Sequence, residues 1–373
     1  MSCLKFTKHA VIACMLGIAP AASAVELPDW LGVSGFASTG AAKSNSEIPY
    51  YYSRNIQDEW CWDCDTIVGL QADIRPNDWL AASLQVVKRP VDDFSDPELE
   101  WAYLAFKPTY NVTLRGGRLR APSFLYSQVV FVNQAFPWMR LPAEVYDTTS
   151  GFTRYEGFDA DATFELTDSL LLKTQLYYGF NTKIKNNERN NILWDVDIDS
   201  IYGLRFDIES FNWLAYVRVD RSDARIESVD SFPAPPFDAF PPVFQPIVVE
   251  FETTSWAYGG YYDWDNWSLI GEATVSEEQP WNAYLSLVYR YKKWAPYVTY
   301  GMRYARGEDD LDDAQSVSLG LRYSLRSNLA LIGEWHYFKV DQNRGSFTSP
   351  SSQGLAGRSA SILSFGISYS FNL

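Results

Sequence analysis

Apolar and polar residues alternate one by one over many short stretches of this chain. In DVDIDSIYGLRFDI, residues 195–208, apolar side chains at 196, 198, 202, 204, 206 and 208 share one face, and charged ones occupy the other. A period of two predicts a β-strand, because successive side chains of a strand point to opposite faces. FNWLAYVRVD, residues 211–220, repeats the pattern after only Glu209 and Ser210, which predicts a hairpin.

The same alternation predicts sixteen strands. They lie near residues 30–42, 65–75, 79–89, 99–107, 112–120, 154–166, 170–181, 195–208, 211–221, 251–264, 267–276, 282–291, 294–305, 314–325, 329–340 and 359–373. Most have about 9 to 14 residues, which is enough for a tilted strand to cross the apolar core of a bilayer.

The predicted connections alternate between tight turns and longer segments. Turns fall at 75–78, 108–111, 167–169, 209–210, 265–266, 292–293 and 326–328, whereas 43–64, 121–153, 222–250 and 341–358 are long. Short turns on one rim and long loops on the other, with 16% aromatic residues, are typical of membrane β-barrels. A soluble sandwich or propeller is the alternative, but no blade repeat is visible. A barrel this wide also leaves its polar face in water.

The first residues predict export. Lys5 and Lys8 precede a short apolar stretch, and Ala22-Ser23-Ala24 is a cleavage signal, so we expect a signal peptide at 1–24 and a barrel domain at 25–373. Cleavage removes two lysines and moves the formal charge from −15 to −17 (−15 − 2). So acidic a chain is unsuited to nucleic acid.

The last strand, SILSFGISYSFNL, carries a resemblance to known proteins. It resembles the signal by which the bacterial barrel-assembly machinery recognises outer-membrane clients, with Leu373 where phenylalanine is usual. The mature chain resembles the sixteen-stranded Gram-negative porins, and VTLRGGRLRAPSFLYS with AFPWMRLPAEVYD resembles the fifth strand and third loop of proteobacterial porin-like proteins. The resemblance implies an all-β transmembrane antiparallel barrel in the outer membrane, contact with lipid and lipopolysaccharide, and a homotrimer.

In that family the third loop folds into the barrel and narrows the pore. The resemblance implies the same for residues 121–146, whose many apolar side chains suit a buried loop. An external loop that packs on a neighbouring subunit is the alternative.

Basic residues of the fifth strand suggest where the pore is narrowest. A bulge at Gly116-Gly117 would let Arg115, Arg118 and Arg120 all face water. We hypothesise that these arginines oppose acids of the third loop and form the constriction. The alternative is that they only anchor the loop. The acids of the third loop are Glu144 and Asp147, and Arg140 lies near them.

Further charged residues on the polar faces are predicted to line the pore. They are Lys173, Asp197, Asp199, Arg205, Arg218, Arg303 and Arg322. The net charge favours cations at low salt, although a basic constriction would reverse this locally. Acids of GEDDLDD, residues 307–313, add negative charge at the mouth.

Cys61 and Cys64 are the only cysteines after residue 24, at C-x-x-C spacing. A redox site needs a helix N-terminus and zinc needs four ligands, and neither is predicted here. Export makes a local disulfide the best interpretation. We expect no metal and no cofactor.

These features favour a porin for passive diffusion of small hydrophilic solutes and ions. A solute-specific channel for a sugar, phosphate or organic acid is the first alternative, with an aromatic slide of Tyr177, Tyr216, Tyr261 and Tyr297. A receptor or adhesin that uses the proline-rich segment 231–246 is the second. Catalysis is not expected, because His336 is the only histidine after residue 24 and no hydrolase motif occurs.

Overall fold

The chain forms a closed barrel in which each strand pairs antiparallel with its sequence neighbours and β1 pairs with β16. The computed structural model describes residues 27–50, 54, 56–89, 97–149, 153–189, 192–233, 244–277, 281–304, 313–342 and 357–373. The predicted signal peptide, most of GEDDLDD and the tip of the proline-rich segment therefore lie outside the described residues.

All sixteen predicted strands are present, which confirms the predicted fold class. They are β1 Leu31–Ser44, β2 Ile67–Ile74, β3 Leu80–Lys88, β4 Glu98–Thr109, β5 Val112–Arg120, β6 Arg154–Thr167, β7 Leu170–Arg189, β8 Ile192–Glu209, β9 Trp213–Pro233, β10 Phe244–Trp264, β11 Trp267–Ser276, β12 Trp281–Tyr289, β13 Trp294–Tyr304, β14 Asp313–Arg326, β15 Leu329–Gln342 and β16 Ser359–Asn372.

The strands keep polar side chains inside and apolar ones outside, as the alternation predicts. In β13, Thr299 and Arg303 are buried in the interior, whereas Val298 and Tyr300 are 40% and 44% exposed on the outer surface. No helix among the described residues is long and apolar enough to span a membrane.

Strands β7, β9 and β10 extend well beyond their predicted ends, and β8 extends by a few residues. β9 and β10 have 21 residues each, so much of the predicted loop 222–250 is strand. β6 last pairs with β7 at Gly179, and β11 last pairs with β10 at Ser255, so the outer parts of the four strands project as one sheet. We call this part the projecting sheet.

The register of β8 changes at the base of the projecting sheet, and the predicted positions of Asp197 and Asp199 are affected by this change. In β8, Gly203 and Arg205 are buried, but so are Val196 and Ile198, so the buried face switches from odd to even positions. The switch coincides with a register shift against β9 between Ile198 and Ser200.

Asp197 and Asp199 therefore do not share a face with Arg205, and that part of the pore-lining prediction is wrong. Asp197 pairs at 3.5 Å with Lys183, and both side chains are well exposed. The reason is apolar burial, since the shift lets Ile184, Val196, Ile198 and Ala224 form a core within the projecting sheet.

The predicted bulge at Gly116-Gly117 is absent. β5 pairs without interruption with β6 over Val112–Arg120, and the register shift lies instead between β3 and β4, opposite Gln85 and Val86. β5 leaves β4 after Arg118, while its pairing with β6 continues to Arg120.

Gly117 is the pivot at which this β5–β6 pair departs from β4. Its φ is +133°, and a Cβ there would lie 2.4 Å from the backbone oxygen of Ala102. Only glycine suits such a close approach in this conformation. Beyond the pivot the chain enters the lumen.

The connection between β5 and β6, described over residues 121–149 and at 153, folds inside the barrel, as predicted for residues 121–146. We call residues 121–149 L3. It contains 3₁₀ turns at Ser127–Val129, Asn133–Ala135 and Asp147–Thr149 and the one-turn helix α1, Ala143–Tyr146. Four of its side chains form a core with the inner faces of β9 to β13. This core contains Phe124, Phe136, Trp138, Val145, Tyr216, Ala257, Ile270, Tyr284, Val288 and Tyr297.

A second loop, residues 45–66 between β1 and β2, also turns inward, and we call it L1. Tyr50, Ile56 and Cys64 are buried against β1, β15, β16 and Ala143 of L3. The sequence prediction treated this segment as external, so the placement of L1 is a correction. Its apolar residues follow no regular period and alternate with charged residues towards its end.

Candidate functional site: the constriction inside the barrel

L3 is held to the barrel wall by buried carboxylates of the strands. Glu272 of β11 accepts hydrogen bonds from the backbone N–H of Leu125 at 2.6 Å and from the hydroxyls of Tyr146, Tyr216 and Tyr284 at 2.5 to 2.7 Å. Glu334 of β15 accepts from Tyr297 at 2.6 Å. Four donors around one carboxylate offset the cost of burying it.

Arginines of the wall donate to carbonyl oxygens of L3. Arg205 donates to Pro122 and Phe124 at 3.0 and 2.9 Å, and Arg303 donates to Ala143 at 2.9 Å. Arg322 donates to the carbonyls of Asn133 and Phe136 at 3.0 and 3.1 Å. These three arginines lie on the lumenal face as predicted, but L3 covers them. They anchor the loop.

Trp138 occupies the centre of this interface. It is 1% exposed, and its indole N–H donates to Ser286 Oγ at 3.0 Å and to Thr299 Oγ1 at 2.8 Å. Tyr284 meets its ring edge-on, with centroids 5.6 Å apart. A large aromatic side chain with a satisfied N–H makes this the densest contact between L3 and the wall. We call the lumenal faces of β9 to β14 the covered wall.

L3 also reaches the opposite side of the lumen. Phe131 and Val132 pack against Phe36, Ile67 and Val87 of β1 to β3. The loop therefore crosses the interior from the covered wall to the first strands, which is the geometry of a constriction.

The three arginines of β5 do not face the acids of L3. Arg115 pairs with Asp159 at 2.8 Å and with Asp161 at 2.5 Å, both on β6. Arg118 pairs with Glu156 of β6 at 2.6 Å. The predicted opposition to Glu144 and Asp147 is therefore not formed, because strand carboxylates lie directly across from these arginines and satisfy them first.

Arg120 instead braces the base of L3. Its guanidinium donates to Glu100 at 3.1 Å and to Gln85 at 3.0 Å, and it lies 4.8 Å from the ring centre of Phe131. Arg154, its neighbour across β5 and β6, also pairs with Glu100, at 3.1 Å. Because β5 no longer pairs with β4 beyond Arg118, the end of β5 and the start of β6 turn towards Gln85 of β3 and Glu100 of β4.

The predicted loop residues have other positions than expected. Glu144 is buried and accepts a hydrogen bond from Ser316 of β14, on the covered wall. Asp147 begins the 3₁₀ turn that follows α1. Arg140 donates two hydrogen bonds to Asp65 of L1, through Nε at 2.8 Å and through Nη2, and one to Ser364 Oγ at 3.0 Å.

Asp65 is a site residue that the sequence prediction missed. Arg54 also contacts its carboxylate, at 2.5 Å. Burial pushes the pKa of Asp65 up, but Arg140 and Arg54 outweigh burial and hold the pKa below its ordinary value. The only signal was its position beside Cys64, because its partners lie 11 and 75 residues away in the chain.

Several inward-facing charged groups of β5 to β8 stay partly exposed to solvent. Arg115 and Asp161 are 19% and 35% exposed, and Lys173 pairs with Glu209 at 2.7 Å with both groups partly exposed. Asp207 is also partly exposed and pairs with Arg205. We call Arg115, Asp161, Lys173 and Asp207 the ionic wall; Asp159, which also pairs with Arg115, is itself buried. L3 lies over the covered wall, whereas these groups stay partly exposed.

Arg218, predicted to line the pore, and three tyrosines of the predicted aromatic slide are buried. Arg218 of β9 pairs with Asp220 and is buried. Tyr216 and Tyr297 lie in the core beneath L3, and Tyr177 is buried with its hydroxyl 2.8 Å from Asp220. They therefore do not form an aromatic slide in water.

Cys61 and Cys64 are joined as a disulfide within L1, with Cα atoms 5.8 Å apart. His336 is buried between Tyr50 and Ser318, at 3.0 and 2.7 Å. Both groups belong to the packing of L1 against the wall.

Known proteins match this chain in structure rather than in sequence. No family model and no curated protein matches it. The outer-membrane OmpT of Vibrio cholerae is 14% identical with a TM-score of 0.56, covering 93% of this chain and 99% of that one. An anion-selective porin from Comamonas acidovorans is 12% identical with a TM-score of 0.60, covering 91% and 99%.

OmpF of Salmonella typhi, solved in complex with daunomycin, is 14% identical with a TM-score of 0.57, covering 91% of this chain and 97% of that one. At such identities the likeness establishes the fold. This chain has the closed sixteen-stranded fold of the porin-type barrels, which confirms the predicted resemblance at the level of fold.

Proposed function

We propose that this protein is an outer-membrane porin that lets small hydrophilic solutes and ions diffuse through a water-filled channel. The observation that carries the proposal is the division of the lumen. L3 crosses the barrel and buries the covered wall, while the ionic wall keeps its charged groups in contact with solvent. A constricted but hydrated path suits diffusion.

The apolar side chains on the outer surface of the barrel support insertion into a lipid bilayer. Leu104, Phe158 and Leu176 are 60 to 71% exposed on outward faces, and such residues recur around the barrel. Exposed tryptophans lie near the short turns, where an interfacial belt is expected; they are Trp30, Trp79, Trp264, Trp267 and Trp294. We include contact with lipopolysaccharide and assembly by the barrel-assembly machinery in this proposal.

A homotrimer is also part of the proposal. The outward positions of the first strands include the small residues Ala37, Ala72, Ala82 and Ala102, which are only partly exposed. Small side chains let two barrels approach closely. Unheated gel electrophoresis and native mass spectrometry of the detergent-folded protein test this part.

The proposal assigns no catalytic role. His336 is buried and held by Tyr50 and Ser318, so it has no open path to a substrate. L1 occupies further lumenal space beside β1, β15 and β16, which favours small solutes. A solute-specific channel is therefore the second candidate.

Single-channel conductance in a planar bilayer tests the function directly. We expect stable steps, in groups of three for a trimer, and the reversal potential under a salt gradient will give the ion preference. Small steps blocked by one class of solute would support the specific channel. Folded protein without conductance would refute the porin proposal.

A further inference from the structure

L1 and L3 meet through a buried ionic cluster inside the barrel. Asp65 of L1 receives hydrogen bonds from Arg140 of L3 and from Arg54 of L1. The side chains of Arg140 and Asp65 are only 2% and 5% exposed. Bidentate contact between a guanidinium and a carboxylate is strong and fixes geometry, so the position of Asp65 determines where Arg140 lies.

Asp65 is itself held by two separate attachments of L1 to the wall. Cys61 exchanges two backbone hydrogen bonds with Ala42 of β1, each 2.9 Å long. Cys64 is buried in the apolar cluster that contains Tyr50 and Phe338. The disulfide joins these two attachments covalently, and Asp65 is the next residue in the chain.

Arg140 occupies a sensitive position in L3. It follows Trp138 and Met139, which are bound to the covered wall, and two residues separate it from α1. It also donates a hydrogen bond to Ser364 Oγ of β16. Without Asp65, a buried guanidinium loses both of its hydrogen bonds to a carboxylate, and this part of L3 must move to solvate it.

We propose that L1 is a clamp on the constriction loop, with Asp65 as the positioning residue for Arg140 and the Cys61–Cys64 disulfide as the brace of the clamp. Reduction of the disulfide loosens L3 and changes the channel. The effect on the channel rests on the proposed function, whereas the clamp itself does not.

The redox step uses an external dithiol reductant. Its thiolate attacks the sulfur of Cys61, which is partly exposed, whereas Cys64 is buried. The S–S bond breaks and Cys64 leaves as a thiolate that takes a proton. The second thiol of the reagent then resolves the mixed disulfide, which releases Cys61 as a thiol and the reagent as its own disulfide.

Hydrogen exchange of L3 tests the clamp without any reference to conductance. Peptides covering residues 121–149 are followed by mass spectrometry in the folded wild type, in Asp65→Asn, and in wild type reduced with dithiothreitol. We expect L3 amides near Arg140 to exchange roughly tenfold faster or more in Asp65→Asn, and faster after reduction.

Asp58→Asn is the matched control, because this substitution makes the same chemical change in the same loop, at a residue that is exposed. The double variant Cys61→Ala, Cys64→Ala must reproduce the reduced state and be insensitive to dithiothreitol. Unchanged L3 exchange in Asp65→Asn, with the barrel folded, would overturn the clamp. Unchanged exchange after reduction would overturn the role of the disulfide.

Conductance of the same samples separates the clamp from the channel. Faster exchange together with altered step size or added flicker in Asp65→Asn supports the full proposal. Faster exchange with identical steps refutes control of the constriction by the clamp. A wild type that does not conduct refutes the proposed function, while the exchange data still decide whether L1 positions L3.

Discussion

The covered wall and the ionic wall use the same residue types for opposite purposes. On the covered wall, Glu272, Arg303 and Arg322 bind L3, and their charges are enclosed by hydroxyls and backbone groups of the loop. On the ionic wall, Arg115 and Lys173 pair with acids of neighbouring strands and stay in contact with water. The difference shows that an inward-facing charge becomes part of a pore only where no loop lies over it.

Removing the main contact of L3 with the covered wall should have the largest effect. Trp138→Ala deletes a fully buried aromatic side chain and two hydrogen bonds. We expect it to destabilise the loop by about 3–5 kcal/mol and so to release L3 from the wall, with a large rise in conductance and in protease cleavage of L3.

Trp62→Ala provides the control for this variant, because Trp62 is 57% exposed in L1. It should leave conductance and cleavage unchanged. If Trp138→Ala kept wild-type conductance while the barrel stayed folded, the covered wall would not define the constriction.

Acid should weaken the clamp between L1 and L3. The charged groups that act on Asp65 are Arg54 and Arg140, and Glu334 interacts with it electrostatically. Because the folded pKa of Asp65 is lowered, its stabilisation is complete above the ordinary value of about 4 and is lost as pH falls through the lowered value.

The measurement is channel flicker as a function of pH, which should begin to rise only below about pH 4 in the wild type. Asp65→Asn should show flicker already at neutral pH. Because Asn does not titrate, acid should not increase the flicker of this variant through residue 65. An equal acid response in the two proteins would assign the response to another group.

Changing the ionic wall should alter selectivity with the smallest effect on structure. Arg115→Ala leaves Asp159 and Asp161 without their guanidinium partner, on a wall that L3 does not cover. We expect the reversal potential to shift towards cations while L3 exchange stays close to that of the wild type.

Arg322→Ala makes the matching change on the covered wall. It should raise L3 exchange, because the carbonyls of Asn133 and Phe136 lose their donor. If both variants changed selectivity and neither changed L3 exchange, the distinction between the two walls would fail.

The register changes show where prediction from alternation stops. In β8, Gly203 and Arg205 are buried at odd positions, whereas Val196 and Ile198 are buried at even positions beyond the register shift near Asp199. Burial of Val196 and Ile198 in the projecting sheet outweighs strict alternation. The bulge predicted at the glycines of β5 is absent, and Gly117 acts there instead as a pivot away from β4. A glycine pair in a sequence does not distinguish these two uses.

The sequence by itself determined the sixteen strands and the polar interior, because alternation is local and every strand repeats it. The inward third loop was expected from the resemblance to porins, and its apolar composition agrees with that expectation. Only the tertiary structure decided which inward charges are covered. Arg205 and Arg115 look alike in their strands, yet one binds Pro122 and Phe124 and the other faces water beside Asp161. Contacts such as Arg140 with Asp65 join residues 75 positions apart, and their formation depends on how two loops fold within one closed barrel.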